Sequence, residues 1–284
     1  MTPEFRNALY TYNDASEKKL TIENPTPEQL LEQKTKNIPL QLQKLFVRLS
    51  YWQKVKSVKT VDVTKSFGWT GSEAFAQHDV QELMRILFDA LEHKLKDSEQ
   101  KDILKDLYQG KMVDYVKCKY CGYESKREDS FQDINLAIKP FGATHAFSSL
   151  NEALAEYLKT EILDGSNQYN CGSCDQKRDA EKGLKITKLP YLLTIQLKRF
   201  DFDYEIMDRV KLSDRVEFPF EADFSEFVPE SDESHDYELF SVMIHSGSAS
   251  GGHYYRAFKN YGPAPKFGYF WRRKTFFLSR QGNF

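Results

Sequence analysis

Apolar positions in the first third of the chain recur at helical spacing. The longest such run extends from about Ser72 to Leu95, where apolar side chains return every three or four residues. Thr26, Pro27 and Gln29 have the pattern of an N-cap, a proline at the first helical position and a capping-box partner. A second helical run opens at Asn37. This part of the chain is therefore predicted to be helical.

Later segments carry the shorter apolar and alternating runs that are typical of strands. They run from Met112 to Tyr123, Ile134 to Ile138, Leu192 to Phe202 and Phe240 to Ile244. The third is apolar enough to be buried on both faces. The fourth enters the glycine-rich loop Ser246–Gly252 and restarts at His253, which predicts a hairpin. A capping box at Ser149 adds a later helix. Helices first and antiparallel strands afterwards predict an α+β fold.

Composition and charge narrow the class of protein. Hydrophobic residues make up 40% and charged residues 29% of the 284 residues, as in a folded domain. The formal net charge of −2 gives no basic field for nucleic acid or an anionic membrane. The longest apolar stretch, from Tyr191 to Leu197, is far below the roughly 20 residues of a spanning helix. The first residues do not resemble a signal peptide. We therefore expect neither a membrane nor a nucleic-acid partner.

The four cysteines form two Cys-x-x-Cys pairs, Cys118 with Cys121 and Cys171 with Cys174. Two disulfides are one interpretation, but disulfides rarely persist in the reducing compartment that a chain without a secretory signal occupies. A thioredoxin-like motif would explain one pair but not both. Four thiolates are the ligand set of a structural tetrahedral zinc ion, and we favour this interpretation.

The surroundings of the cysteines also suggest metal-binding turns. Gly122 follows the first pair and Gly172 lies inside the second, where glycine would let the backbone turn tightly. The 49 residues from 122 to 170 exceed usual zinc-finger spacing, so a zinc ribbon here would contain a large insertion.

Histidines supply the first catalytic candidates. His93, His145 and His235 have loop-like or charged neighbours and are expected at the surface. His78 lies in the polar start of a helix, where such residues usually serve as caps. His253 follows the glycine-rich loop, where a general base could face an incoming backbone.

Five stretches, taken together and in order, resemble the ubiquitin-specific protease domain of the cysteine-dependent deubiquitinases. They are Gln77–Leu83, Tyr108–Lys111, the two cysteine pairs, Leu197–Asp203 and His245–Tyr255. The resemblance covers about residues 1–260. It implies a papain-like thumb at 1–110, fingers with a zinc ribbon at 111–190 and mainly palm at 191–260. The cysteine pairs would hold a structural zinc ion.

The resemblance also implies a function. The family hydrolyses the bond after the C-terminal glycine of ubiquitin through thiolate attack and an acyl-enzyme. His253 would be the general base, Asp79 and Glu82 would lie beside the channel for the basic ubiquitin tail, and Gly251 and Gly252 would let that tail pass. Ubiquitin and ubiquitinated proteins would be the partners. The expected location is the cytoplasm and also the nucleus.

The chain departs from the family pattern in two places. The family's nucleophilic cysteine lies in an Asn-x-Cys segment ahead of residues resembling Met1–Arg6, so the domain is expected to be truncated at its N-terminus. The family's Asp or Asn that orients the histidine should follow a Trp and a Phe beyond His253. The sequence offers Phe270 and Trp271 but no Asp after Asp236. We expect these 284 residues alone to be inactive.

The last segment, 261–284, differs in composition from what precedes it. No Asp or Glu follows Glu238, basic residues accumulate, and strand alternation is lost from Asn260. It could be a basic aromatic tail for a partner or a membrane surface. We favour the other interpretation, that this segment is foreign to the domain and does not finish the preceding sheet.

Three functions from different classes remain open at this point. The first is a deubiquitinase whose nucleophile comes from a longer form of the protein. The second is a ubiquitin-binding pseudoenzyme or fragment with a structural zinc ribbon. The third is a zinc-ribbon module for nucleic acid, which the net charge of −2 opposes.

Overall fold

The structure is a computed structural model and describes most of the chain. The described residues are 2–13, 26–51, 57–69, 79–140, 142–229, 234–258 and 275–280. The chain divides into two units, Met1–Leu107 and Tyr108–Phe284. The division into thumb, fingers, palm and tail remains a prediction.

The regular secondary structure among the described residues of unit 1 is helical. Its helices, the last of which ends one residue beyond the unit, are α1 Pro3–Thr11, α2 Pro27–Lys36, α3 Ile38–Tyr51, α4 Val61–Ser66, α5 Val80–Leu95 and α6 Ile103–Tyr108. The predicted capping box is confirmed: Thr26 Oγ1 accepts from the Gln29 backbone N–H at 3.3 Å, and Gln29 Oε1 accepts from the Thr26 N–H at 2.9 Å. The predicted start of the long helix at Ser72 lies outside the described residues; α5 buries Phe88 and Leu91.

Unit 2 contains one α-helix, fourteen strands and two 3-10 helices among its described residues. They are β1 Gly110–Cys118, β2 Glu124–Phe131, β3 Ile134–Ala137, α7 Leu150–Tyr157, β4 Glu161–Leu163, a 3-10 helix Gly165–Asn167, β5 Tyr169–Cys171, β6 Gln176–Arg178, β7 Ala180–Lys188, β8 Leu192–Lys198, β9 Phe200–Asp203, β10 Asp208–Lys211, β11 Glu221–Asp223, a 3-10 helix Ser225–Phe227, β12 Asp236–Gly247, β13 Gly252–Phe258 and β14 Thr275–Arg280. The mixture of helix and sheet confirms the α+β class.

Two sheets and two hairpins organise these strands. The smaller sheet has the order β2-β1-β7-β4 and is antiparallel. The larger sheet has the order β11-β12-β14-β8-β3, with β13 also paired to β12. Its strands pair antiparallel except β3 with β8, which are parallel. The pairs β5–β6 and β9–β10 form separate hairpins.

The core of unit 2 lies on the larger sheet. Four consecutive residues at the start of β8, Leu192 to Ile195, are buried, which confirms a strand covered on both faces for this part of the predicted range. The prediction that this strand continues to Phe202 is wrong, because β8 ends at Lys198 and β9 exposes Phe200 and Phe202. Helix α7 contributes Leu150 and Leu154 to the same apolar cluster. Ser149 caps this helix as predicted, by accepting from the Glu152 backbone N–H at 3.3 Å.

The buried positions of strand β12 shift by one residue halfway along, although its buried apolar side chains stay in one cluster. Tyr237 and Leu239 are buried, and after an irregularity in the pairing with β14 the buried positions become Val242 and Ile244. The expected alternation through Phe240 is therefore wrong at that residue, which is only half-buried. An extra residue in one strand shifts the two-residue period by one position, so even-numbered residues after it take the buried face that odd-numbered residues hold before it.

The expectation that the last segment does not finish the sheet is also wrong. The backbone of β14, Thr275–Arg280, pairs with β12 on one side and with β8 on the other. A central strand need not alternate, and Thr and Phe favour strands. Alternation was therefore the wrong criterion here. The rest of the predicted tail, 261–274 and 281–284, lies outside the described residues.

The expectation that His235 lies at the surface is also wrong. His235 is 2% exposed, whereas His93 and His145 are exposed as expected. His235 precedes the buried Tyr237 by two residues and shares its side of the chain.

Among the described residues, no helix is long and apolar enough to cross a membrane.

Candidate metal centre and catalytic hairpin

The four cysteine side chains meet at one point of unit 2. Cys118 ends β1 and Cys171 ends β5, while Cys121 and Cys174 lie in the turns that follow. Their four Sγ atoms lie within 4.8 Å of one another, and Cys121 Sγ is 3.6 Å from Cys171 Sγ. All four thiols are free, so the structure does not support the disulfide interpretation.

Both cysteine turns use the same backbone device. In the first, the N–H of Gly122 donates to the Cys118 carbonyl at 3.0 Å; in the second, the N–H of Asp175 donates to the Cys171 carbonyl at 2.8 Å. Gly122 has φ +72° and Asp175 has φ +51°. Gly172 lies in the second turn as expected, but the left-handed residue of that turn is Asp175 and not Gly172. The left-handed position is the fourth after the first cysteine of each pair, and Asp tolerates it.

The two turns are held together by neighbouring strands. Cys118 pairs with Ala180 across β1 and β7. The Lys119 N–H donates to the Asp179 carbonyl at 2.9 Å, and Gln168 Nε2 donates to Asp179 Oδ1 at 2.7 Å. The 49 residues between the pairs are not a local insertion, because β3 within them joins the larger sheet beside β8.

Hydrogen bonds within the cluster shift the pKa values of two of its thiols in opposite directions. The Tyr123 backbone N–H, followed by the thiol of Cys174, lowers the pKa of Cys121 to about 6. The hydrogen bond with Cys121 raises the pKa of Cys174 to about 12. One thiolate is thus stabilised while its neighbour keeps its proton. Four thiolates at this spacing need a cation, and tetrahedral zinc with Zn–S bonds of about 2.3 Å would place sulfurs about 3.8 Å apart. The residues present can hold a metal ion.

The second candidate site is the β12–β13 hairpin. His253 pairs with Ser246, and Gly252 pairs with Gly247. The His253 side chain is exposed. Gly247 has φ +136°, and a Cβ there would lie 2.3 Å from the Gly251 carbonyl oxygen. A Cβ on Gly252 would lie 2.2 Å from the Ser246 carbonyl oxygen. Gly247 and Gly252 are therefore required for the two strands to approach closely, while the functional roles of Gly251, Gly252 and His253 remain predictions.

Sequence reasoning missed a lysine that reaches this hairpin from β10. Lys211 Nζ donates to His245 Nδ1, to the His245 carbonyl at 3.2 Å and to the Gly247 carbonyl at 3.0 Å. The His245 ring packs against Phe200 and Tyr254, with ring centroids 5.1 and 4.8 Å away. No sequence signal points to the contact, because 34 residues separate Lys211 from His245.

In unit 1, the remaining predicted site residues lie at the start of α5. Asp79 is its N-cap, and its side chain accepts from the Gln81 backbone N–H at 2.8 Å. Glu82 lies in the first turn of the same helix. His78 lies outside the described residues. Asp79 therefore has a structural role as a cap, and its contact with a ubiquitin tail remains a prediction.

Comparison with known proteins defines the class. Residues 1–273 match the family model of the ubiquitin carboxyl-terminal hydrolases, and the chain belongs to this family. It is 46% identical over 317 residues to ubiquitin carboxyl-terminal hydrolase 47 of Xenopus tropicalis and 45% identical over 318 residues to that of Homo sapiens. Both matches cover 92% of this chain and 22% of the relative.

A more distant relative gives the same picture. Ubiquitin carboxyl-terminal hydrolase 40 of Homo sapiens is 40% identical over 258 residues, covering 89% of this chain and 20% of that protein. The chain thus spans about a fifth of the length of the curated relatives it matches. The family match extends 13 residues beyond residue 260, where the sequence was expected to diverge (273 against 260).

Proposed function

We propose that the chain is a deubiquitinase domain that takes part in hydrolysing the bond after the C-terminal glycine of ubiquitin. The observation that carries the proposal is the β12–β13 hairpin of a family member, which presents an exposed His253 directly after Gly251 and Gly252. An exposed imidazole beside unsubstituted backbone can meet an extended peptide and exchange a proton with it. The protein partners are ubiquitin and ubiquitinated proteins.

His253 would act as the general base and then as the general acid. Its imidazole takes the proton of a cysteine thiol, the thiolate attacks the glycine carbonyl of ubiquitin, and the imidazolium returns the proton to the leaving amine. Water then hydrolyses the acyl-enzyme. All four cysteines of the sequence lie in the metal-binding cluster. We therefore assign the nucleophile to a longer form of the protein.

The proposal gives the cysteine cluster a structural role. Cys118, Cys121, Cys171 and Cys174 would hold one zinc ion, which cross-links the two turns of a zinc ribbon in the fingers. The thumb and palm of a papain-like fold would occupy residues 1–110 and 191–260. Free thiols suit a reducing compartment, and we place the protein in the cytoplasm and nucleus.

Ubiquitin would be recognised partly through charge. Asp79 and Glu82 put two carboxylates at the first turn of α5, and carboxylates attract the basic residues of the ubiquitin tail. Gly251 and Gly252 would leave room for the tail backbone beside His253.

One experiment separates the proposed domain from a ubiquitin-binding fragment. The 284-residue chain should bind ubiquitin in calorimetry but show no turnover of a fluorogenic ubiquitin substrate and no labelling by a thiol-reactive ubiquitin probe. Joining an upstream Asn-x-Cys segment and a downstream His-orienting Asp should produce both activities. If the joined protein binds ubiquitin but stays inactive, the chain is a binding fragment. If neither protein binds ubiquitin, a nucleic-acid module becomes the alternative, although the net charge of −2 opposes it.

A further inference from the structure

The proposed reaction assigns no role to the contact between β10 and the end of β12. Lys211 is half-buried at the last position of β10. Its ammonium has three N–H donors. The three described acceptors are His245 Nδ1, the His245 carbonyl and the Gly247 carbonyl, all at the end of β12.

This contact fixes the chemical form of the His245 ring. A ring nitrogen that accepts a hydrogen bond from an ammonium group cannot carry a proton itself. The neutral ring therefore has its proton on Nε2. Phe200 and Tyr254 pack against the ring.

The His245 ring in turn lies against the hairpin that carries His253. A Cβ added to Gly252 would come within 2.5 Å of His245 Nε2. The ring edge therefore fills the space beside the Gly252 backbone. Lys211 also holds the carbonyl of Gly247, which pairs with Gly252. The two contacts fix both strands of the hairpin one residue before His253.

We propose that Lys211 is a positioning residue for the reaction: it holds His245 in the Nε2–H tautomer and sets the β12–β13 hairpin so that Gly251, Gly252 and His253 can receive the ubiquitin tail. The inference rests on the proposed function of this hairpin. Lys211 contacts neither the substrate nor the reacting atoms. Its effect passes through His245 and Gly247.

The first test reads the tautomer directly. In the 284-residue chain labelled with 15N-histidine, nuclear magnetic resonance should show the His245 ring in one tautomer, with the proton on Nε2. Lys211→Met should give a mixture of ring forms at neutral pH, whereas Lys211→Arg should keep the wild-type form because the guanidinium still donates. Arg209→Met is the matched control, since it removes an exposed positive charge from the same strand.

The second test reads the consequence for the tail. Affinities are measured for intact ubiquitin and for ubiquitin without its C-terminal tail, and their ratio reports tail binding. Lys211→Met should reduce this ratio by about tenfold, as loss of one hydrogen bond to a charged group does, and leave binding of the tailless protein unchanged. Lys211→Arg and Arg209→Met should stay within about twofold of wild type.

The outcomes separate the two proposals. An unchanged His245 spectrum in Lys211→Met overturns the inference, and so does a changed spectrum with an unchanged ratio. If the wild-type ratio is itself close to one, the proposed tail site fails, and the His245 spectrum alone confirms or overturns the hold of Lys211 on the ring. If Lys211→Met does not fold, Lys211→Arg still tests the inference, because a mixed His245 spectrum in that variant contradicts it.

Discussion

Removing the metal from the cysteine cluster should unfold the two cysteine turns, residues 118–123 and 171–179, while the larger sheet stays folded. We call these two turns the tip. Four described backbone hydrogen bonds hold the two cysteine turns: those donated by Cys118, Gly122, Asp175 and Lys119. At about 1 kcal/mol each they supply about 4 kcal/mol, whereas structural zinc contributes on the order of 10 kcal/mol of binding free energy. Most of the tip's stability should therefore come from the metal.

The metal should contribute little to the stability of the larger sheet, because that sheet does not depend on the cysteine cluster. Strand β8 is covered on both faces, and Leu193, Ile195 and Leu154 lie in one apolar cluster without contribution from the cysteines. Burying each such side chain contributes about 1.5–3 kcal/mol. Loss of the metal should leave this core protected.

The assay combines metal analysis with hydrogen exchange. Purified protein should contain about one zinc per chain. Chelation or Cys121→Ser should abolish exchange protection at 118–123 and 171–179 but leave 192–198 protected. Ser173→Ala is the control, because Ser173 lies exposed in the second turn between two cysteines and offers no thiolate. A metal-free protein whose tip is as well protected as that of the wild type would refute the reasoning.

Three further predictions test the helix cap, the hairpin and the pH dependence. Asp79→Ser keeps a good N-cap and removes the charge, so it should weaken ubiquitin binding at low salt without loss of thermal stability. Asp79→Ala should weaken binding in the same way and also cost about 1 kcal/mol of stability. Equal ubiquitin binding by both variants and the wild type would contradict the assignment of Asp79 to the tail channel. Gly252→Ala should displace the hairpin, because its Cβ would lie 2.2 Å from the Ser246 carbonyl oxygen, and ubiquitin affinity should fall while β8 stays protected from exchange. Hydrogen bonds from Ser148 lower the pKa of Glu152 below 4.5, so Glu152 stabilises the folded state above that pH and loses this effect as the pH falls through its folded pKa. The stability difference between wild type and Glu152→Gln in urea unfolding should therefore shrink as the pH falls below about 4.5.

Features that depend on a few neighbouring residues were correctly predicted. The capping box at Thr26 and the cap at Ser149 were both identified from the sequence, because a cap joins groups three residues apart. The clustering of the four cysteines was also predictable, since two Cys-x-x-Cys motifs offer four sulfur ligands. Strand β8 followed from composition, because only a strand covered on both faces is so apolar.

Features that depend on distant partners were decided by the tertiary structure. Strand β14 lies between β8 and β12 because each of those strands has backbone N–H and C=O groups to pair. No local pattern in 275–280 predicts this pairing. The irregularity near Phe240 arises from the same pairing.

The candidate site shows the same division. His253 and its glycines could be found from the sequence because the glycine-rich loop stands beside them in the chain. Lys211 could not, because its ammonium reaches His245 only after β10 and β12 have been brought together by the fold. The sequence by itself determined the caps, the ligand set and the family motifs, all of which are local chemistry. The tertiary structure decided which strand fills the sheet and which cation holds the hairpin, because hydrogen bonds between residues far apart in the chain form only when the whole core places their donors and acceptors together.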